Sequence, residues 1–474
     1  MAMIHFGTSG WRDIISDGFT FAGATALTRA VARRLKARKL AARGVLVGYD
    51  YRFLAEEFAR RTALTLAEEG VPAKLVAHAT PTPALAVAIR EHKLAGGINF
   101  TASHNPAEYQ GYKWSNEHGG PATKEEVAPI EREANRLLAA GGGRPPRGVR
   151  PARISTLDPR PLYFRQLSKV VPFAQLKKSR LHVVADPLFG AGRHYLDEAL
   201  RLAGCRVELL HDWRDVLFGG MHPEPDADNL AAAAARMKKT GARLALGTDG
   251  DADRFGIVDA DGTYLTPNQV LALTLHLLVK HRGLQGRVVR SVVSSHLVDA
   301  VAKHYGMPVE VTPVGFKYIG ESMLRGGFLL GGEESGGLTI AGHIPEKDGI
   351  LACLLMAELV VRERKTLQAV LRDLYRRVGL YLTDRVNFKL DSPAAGQRLR
   401  KKLSAWRPRR LAGEKVSQIE TLDGYKFLLA SGAWLAIRLS GTEPMARLYL
   451  EARDRASLKR VRTAGRALLS SGRA

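Results

Sequence analysis

Residues 97–106 read GINFTASHNP: a short apolar run, 97–100, passes without a spacer into a serine, a histidine and an Asn-Pro turn. Upstream, the apolar stretch 45–47 reads as a strand, and Leu54, Phe58, Thr62 and Leu66 fall four apart on one helical face that Gly70 stops. A second strand at 75–76 and a helix in PTPALAVAIREHKLAGG complete the approach to the serine. The order strand, helix, strand, helix, strand then recurs. From Arg180 it comprises strand 181–184, helix 195–203, strand 207–210, helix 230–239 and strand 244–246, and it delivers GTDGDADR. From Arg287 it comprises strand 288–293, helix 297–305, strand 309–311, helix 318–324 and strand 328–330, and it delivers GGEESGG. Ligands of such sheets bind beyond the carboxyl ends of the strands, so three repeated α/β units can bring three polar loops to one cleft.

The rest of the chain fits this division. A length of 474 residues exceeds one hydrophobic core, and 45% hydrophobic with 25% charged residues is the composition of a soluble globular protein. The glycine- and proline-rich stretch GGGRPPRGVRPAR, 141–153, reads as a connector, and from about Gly379 strand-like runs such as 385–390 and 434–439 announce a smaller fourth domain closed by a C-terminal helix. The expected boundaries are 1–148, 155–262, 263–377 and 378–474. No apolar run reaches the roughly 18 residues of a membrane helix, and the N-terminus lacks a signal-peptide pattern, so no membrane partner and a cytoplasmic location are expected. Cys205 and Cys353 are too few for a disulfide framework and read as core filler. A formal charge of +24 can attract nucleic acid or small anions. The basic residues are spread over helix faces, are not interleaved with base-stacking aromatics and match no nucleic-acid-binding signature, so nucleic acid is not the expected partner.

The polar motifs point to phosphate and metal. Asp249, Asp251 and Asp253 alternate in DGDADR and can aim hard oxygen ligands at one Mg²⁺; left unpaired, they would repel one another. Arg254 stands where a calcium loop of the EF-hand type needs glycine. RLSGTEP, 438–444, offers a guanidinium and hydroxyls to a phosphate or forms a plain turn, and Glu333 with Ser335 can bind sugar hydroxyls. Asp259 in FGIVDADGTYL resembles the nucleophile of a haloacid-dehalogenase-type phosphatase, but an Asp261-Gly262 hairpin turn is the favoured reading. Ser103 could serve a Ser-His hydrolase or cap a turn; with metal and phosphate groups at equivalent strand ends, it could instead carry phosphate.

TASHNP, DGDADR, GEESG and RLSGTEP, with GTSGWRD at the N-terminus, together resemble the α-D-phosphohexomutase superfamily in order and across nearly the whole chain. The resemblance implies three related α/β domains with mixed sheets and an α+β, TATA-binding-protein-like fourth domain around a central cleft. It also implies a phosphotransferase that interconverts hexose 1- and 6-phosphates through a phosphoserine, with a hexose 1,6-bisphosphate as intermediate and primer. By the same resemblance, Ser103 is the phosphoserine and shares Mg²⁺ with Asp249, Asp251 and Asp253. Arg254 offsets negative charge, and His104 and Lys113 assist proton transfer or hold phosphate. Glu333 and Ser335, with Gly315 and Phe316 nearby, grip the sugar; Arg438, Ser440, Gly441 and Thr442 hold the non-reacting phosphate; Arg12 lines the entrance. Members acting on mannose and glucose phosphates often carry histidine after GEMSG, and glucosamine members resemble GEQSGH, whereas Gly337 stands here. HIPEKDG, with His343 and Lys347 as candidate general bases, looks more like the phosphoglucomutase branch. Glucose phosphate is therefore the expected substrate and mannose phosphate the alternative, for an enzyme expected to be a monomer or dimer.

Overall fold

The computed structural model describes residues 3–7, 10–142, 148–439 and 445–470, the side chain at 393 apart. Three mixed sheets repeat one plan, and a fourth sheet differs. In the first, Val45–Tyr49 lies between Ala73–Val76 and Gly96–Phe100, parallel to both, and Tyr109–Ser115 pairs antiparallel with Gly96–Phe100. In the second, His182–Asp186 lies between Arg206–Leu209 and Leu244–Thr248, with Phe255–Asp259 antiparallel to the latter. In the third, Arg287–Ser291 lies between Val309–Thr312 and Phe328–Glu333, with Gly337–Ile340 antiparallel. Every residue of Val45–Tyr49 and Leu244–Thr248 is buried, as expected for central strands covered by helices on both faces.

The strands anticipated from the pattern are all present, and each unit adds a fourth strand. Each polar motif therefore sits in the return between a parallel strand and its antiparallel neighbour. Only Phe255–Asp259 among these fourth strands was visible beforehand, as half of a hairpin; its pairing Val258 to Tyr264 shows that the Asp261-Gly262 segment is a turn. Asp259 is fully buried and accepts the backbone amide of Gln368 at 2.7 Å.

Two features go beyond the pattern read in sequence. Ile154–Leu157, at the entry to the second unit, pairs parallel with Ala73–Val76 and extends the first sheet. The second and third sheets share one continuous core, because Gly349–Glu363 runs between them buried on all sides through Val360. Asp348 caps that helix by accepting the Leu351 amide at 2.9 Å. Cys353 lies on it, and both cysteines are free and buried. The fourth unit is an antiparallel sheet, in spatial order Leu382–Lys389, Met445–Ala452, Trp434–Leu439, Tyr425–Leu429, Glu414–Glu420 and Arg410–Leu411. It packs on helices Pro393–Ala405 and Arg455–Ser470 around its own core. Among the described residues, no helix is long and apolar enough to cross a membrane.

Candidate active site

The serine loop is built around a buried cation. Arg52, fully buried just beyond Val45–Tyr49, donates to the carbonyls of Ser103 (2.8 Å), Asn105 (2.6 Å), Pro106 (2.6 Å) and Tyr109 (3.0 Å). Asp50 faces its Nε at 3.3 Å. The clamp holds Ser103 at φ 54, a left-handed conformation that a non-glycine residue keeps only where its surroundings impose it. Ser103 is buried; its amide donates to Thr101 Oγ1 (2.9 Å), and its hydroxyl donates to Asp249 Oδ2 (2.7 Å), from the second unit. His104 Nδ1 lies 3.4 Å from the same hydroxyl. Burial, then the charges of Arg254 and Arg12, push the His104 pKa well down, so its ring is neutral at pH 7. Arg12 reaches the loop through Asn105 Oδ1 at 2.8 Å.

The DGDADR loop comes close enough to touch the serine because Gly250 has no side chain: a Cβ there would collide with the Ser103 carbonyl oxygen. Asp249, Asp251 and Asp253 are buried, with one oxygen of each within 4.8 Å of the others. Lys113 Nζ donates to Asp251 (2.5 Å) and Asp253 (2.9 Å), Lys347 Nζ to Asp253 (3.0 Å), and Thr82 Oγ1 to Asp251. The Arg254 amide donates to Asp249 Oδ1 at 3.0 Å, and its guanidinium pairs with Glu224 at 3.3 Å. Burial would raise the Asp253 pKa, but Lys113, Lys347 and Arg254 hold it well down. Asp249 has no ammonium partner among the described residues, and burial together with Asp251 and Asp253 pushes it well above the carboxylate range. Oδ1 of Asp251 and of Asp253 are buried without a hydrogen-bond partner among the described residues. An all-oxygen donor set with buried, unpaired carboxylate oxygens fits a hard divalent cation such as Mg²⁺.

The third unit supplies Lys347. A Cβ at Gly337 would lie 2.8 Å from Cγ of Lys347, 3.2 Å from its Cβ, and closer still to Cδ. The lysine stem thus fills the space that any side chain at 337 would need. Its ammonium also lies 5.4 Å from the centroid of the Phe316 ring. Glu333 Oε1 accepts the Gly315 amide at 2.7 Å, and burial with the neighbouring Glu334 pushes the Glu333 pKa up to about 7. Ser335, Glu334 and Arg254 line a cavity of about 320 Å³ whose far wall, Thr383 to Arg385, belongs to the fourth unit. Arg438 lies on that unit, its Nη2 paired with Asp423 at 2.9 Å. Ser440, Gly441 and Thr442 lie outside the described residues.

His343 is not brought to the cluster. Its Nε2 pairs at 2.8 Å with Asp348, which also accepts from Tyr163, so its ring braces the start of the helix Gly349–Glu363. Sequence reasoning missed Arg52 and Thr82. The acidic-basic pair in YDYR, directly after the first strand, carried a signal for the former; a threonine beginning an apolar helix carried none for the latter.

Comparison with known proteins agrees with this architecture. Family models for phosphoglucomutase/phosphomannomutase match in chain order: alpha/beta/alpha domain I over residues 3–140, domain II over 161–262, domain III over 266–378 and the C-terminal domain over 386–467. A phosphoglucomutase/phosphomannomutase of Thermococcus kodakarensis is 29% identical over 95% of this chain and 94% of its own. A protein of Methanothermobacter thermautotrophicus named a probable phosphoglucosamine mutase is 31% identical over 94% and 93%. A solved structure from Thermus thermophilus, provisionally named a phosphomannomutase, superposes with a TM-score of 0.85 at 34% identity, covering 99% of both chains. With four domain matches in order and relatives aligned over nearly their full length, the chain belongs to the phosphoglucomutase/phosphomannomutase family of phosphohexomutases.

Proposed function

We propose that the protein interconverts glucose 1-phosphate and glucose 6-phosphate through a phosphorylated Ser103. The observation that carries this reading is the convergence on one hydroxyl: Ser103 Oγ bonds to Asp249 across a unit boundary, beside carboxylates that retain unpaired buried oxygens. Phosphoserine donates its phosphoryl group to the free hydroxyl of the bound sugar phosphate, the Oγ–P bond breaking as the sugar O–P bond forms, and the hydroxyl proton leaves to a base. The resulting bisphosphate turns over in the cleft and returns its other phosphoryl group to Ser103. Mg²⁺ held by Asp249, Asp251, Asp253 and the serine phosphate would offset charge on the transferring group and, by cancelling the Asp253 charge, loosen the hold on the Lys347 proton.

Lys347 is the preferred base, because it reaches Asp253 while His343 is occupied by Asp348. In the free protein Asp253 and Glu346 outweigh burial and keep Lys347 protonated. Arg254, Arg12 and Lys113 line the serine side with positive charge, a preset field for a phosphoryl group in transit. Glu333 and Ser335 take sugar hydroxyls, and Arg438 holds the phosphate that is not reacting. Glucose is favoured because HIPEKDG resembles the phosphoglucomutase branch, and the stem of its Lys347 occupies the space over Gly337 that a histidine there would need. The test is a panel of glucose, mannose, glucosamine and ribose 1-phosphates with Mg²⁺ and a trace of bisphosphate primer. Glucose 1-phosphate should give the highest kcat/KM; no isomerisation of any of them would overturn the reading.

A further inference from the structure

We infer that Asp423, in the turn before Tyr425–Leu429, is a positioning residue that presets Arg438 for phosphate and ties it to the sugar-gripping loop. Its Oδ2 accepts two hydrogen bonds, from Arg438 Nη2 at 2.9 Å within the fourth unit and from the Val314 backbone amide at 2.9 Å in the third. The next amide along, that of Gly315, donates to Glu333 at 2.7 Å. Adjacent peptide groups of one short loop therefore join the proposed phosphate arginine to the proposed sugar carboxylate. A guanidinium fixed at Nη2 meets phosphate without first ordering a flexible side chain.

Asp423 is not what docks the two units. Val292 and Val293 pack against Trp434, Ala436 and Tyr449, Lys426 donates to the Val292 carbonyl at 2.9 Å, and Glu451 accepts from Ser295 and from the His296 amide. That interface holds the fourth unit in place, which leaves the Asp423 contact to set the geometry at the cleft. The inference rests on the mutase reading above. The non-reacting phosphate is gripped alike in ground and transition states, so a loss at Asp423 falls on KM rather than kcat.

The experiment measures kcat, KM and the half-saturating glucose 1,6-bisphosphate for the wild type, D423A, D423N, R438M and D423A/R438M, with glucose 1-phosphate and Mg²⁺. D423A should raise both KM and the bisphosphate requirement about tenfold, the scale of a charged hydrogen bond, with kcat falling less than threefold. D423N, whose amide oxygen can still accept both bonds, should recover most of the loss, and D423A should add nothing to R438M. An active wild type with D423A within twofold in KM, or with D423A and R438M multiplying, overturns the positioning role alone. An inactive wild type overturns the mutase reading and this inference together.

Discussion

Replacing Gly337 with alanine adds one methyl group to a strand residue whose backbone lies outside the left-handed region, so the chain itself accepts the change. The methyl lands on Lys347, 2.8 Å from Cγ and 3.2 Å from Cβ, with Cδ closer still. Backbone cannot yield as a side chain can, so the lysine stem moves and its ammonium leaves Asp253, now 3.0 Å away, and the Phe316 ring. Among the described residues, Asp253 then keeps only its bond from Lys113. A positioned general base contributes about 10²–10⁴-fold to rate, so displacing the Lys347 amine without deleting it should lower kcat/KM about ten- to a hundredfold. The assay is glucose 1-phosphate isomerisation at saturating bisphosphate for G337A, K347M and the double variant. Because both single changes remove the same contact, the double variant should be no slower than K347M. Activity of G337A within threefold of wild type, or losses that multiply, would refute the coupling of Gly337 to Lys347.

Removing Arg52 takes one donor from each of four carbonyls and leaves Asp50 buried without its cation, so R52M should lose about 3–5 kcal/mol in urea unfolding; a loss below about 1 kcal/mol would contradict the clamp. D251N should weaken Mg²⁺ binding in calorimetry at least tenfold and make activity lost to chelator hard to restore, whereas unaltered Mg²⁺ affinity would place the ion elsewhere. Glu333 has a folded pKa raised to about 7, chiefly by burial, so the folded state keeps a proton that the unfolded chain releases above the ordinary carboxylate range. Wild-type stability relative to E333Q should therefore be highest near pH 4 and fall as the pH rises toward 7; a pH-independent difference would contradict the shift.

The repeat was legible because parallel strands buried on both faces leave unbroken apolar runs, as at Val45–Tyr49 and Leu244–Thr248. Gly349–Glu363 was not legible: buried on all sides through Val360, it has no polar face there and hence no helical period. Ile154–Leu157 was not legible as a strand of the first sheet, because its pairing with Ala73–Val76 depends on partners some eighty residues away, which local pattern does not carry. Within the site, the carboxylates and Ser103 were visible because such groups are costly to bring together without a purpose. Lys347 and His343 sit four residues apart in one motif, and only three-dimensional packing separates the one at Asp253 from the one at Asp348. Asp423 carried no sequence signal, because an Asp-Gly pair between strands reads as a turn and nothing more.

The central claim is that Ser103 carries the phosphate. Incubation with glucose 1,6-bisphosphate and Mg²⁺, followed by proteolysis and mass spectrometry of the peptide spanning residues 101–113, should locate one phosphoryl group on Ser103. Glucose 1-phosphate added alone should then discharge it at the rate of turnover, and S103A should neither take up phosphate nor isomerise the sugar. Full turnover by S103A, or a phosphoryl group found on Asp259 or elsewhere and discharged at the catalytic rate, would contradict it.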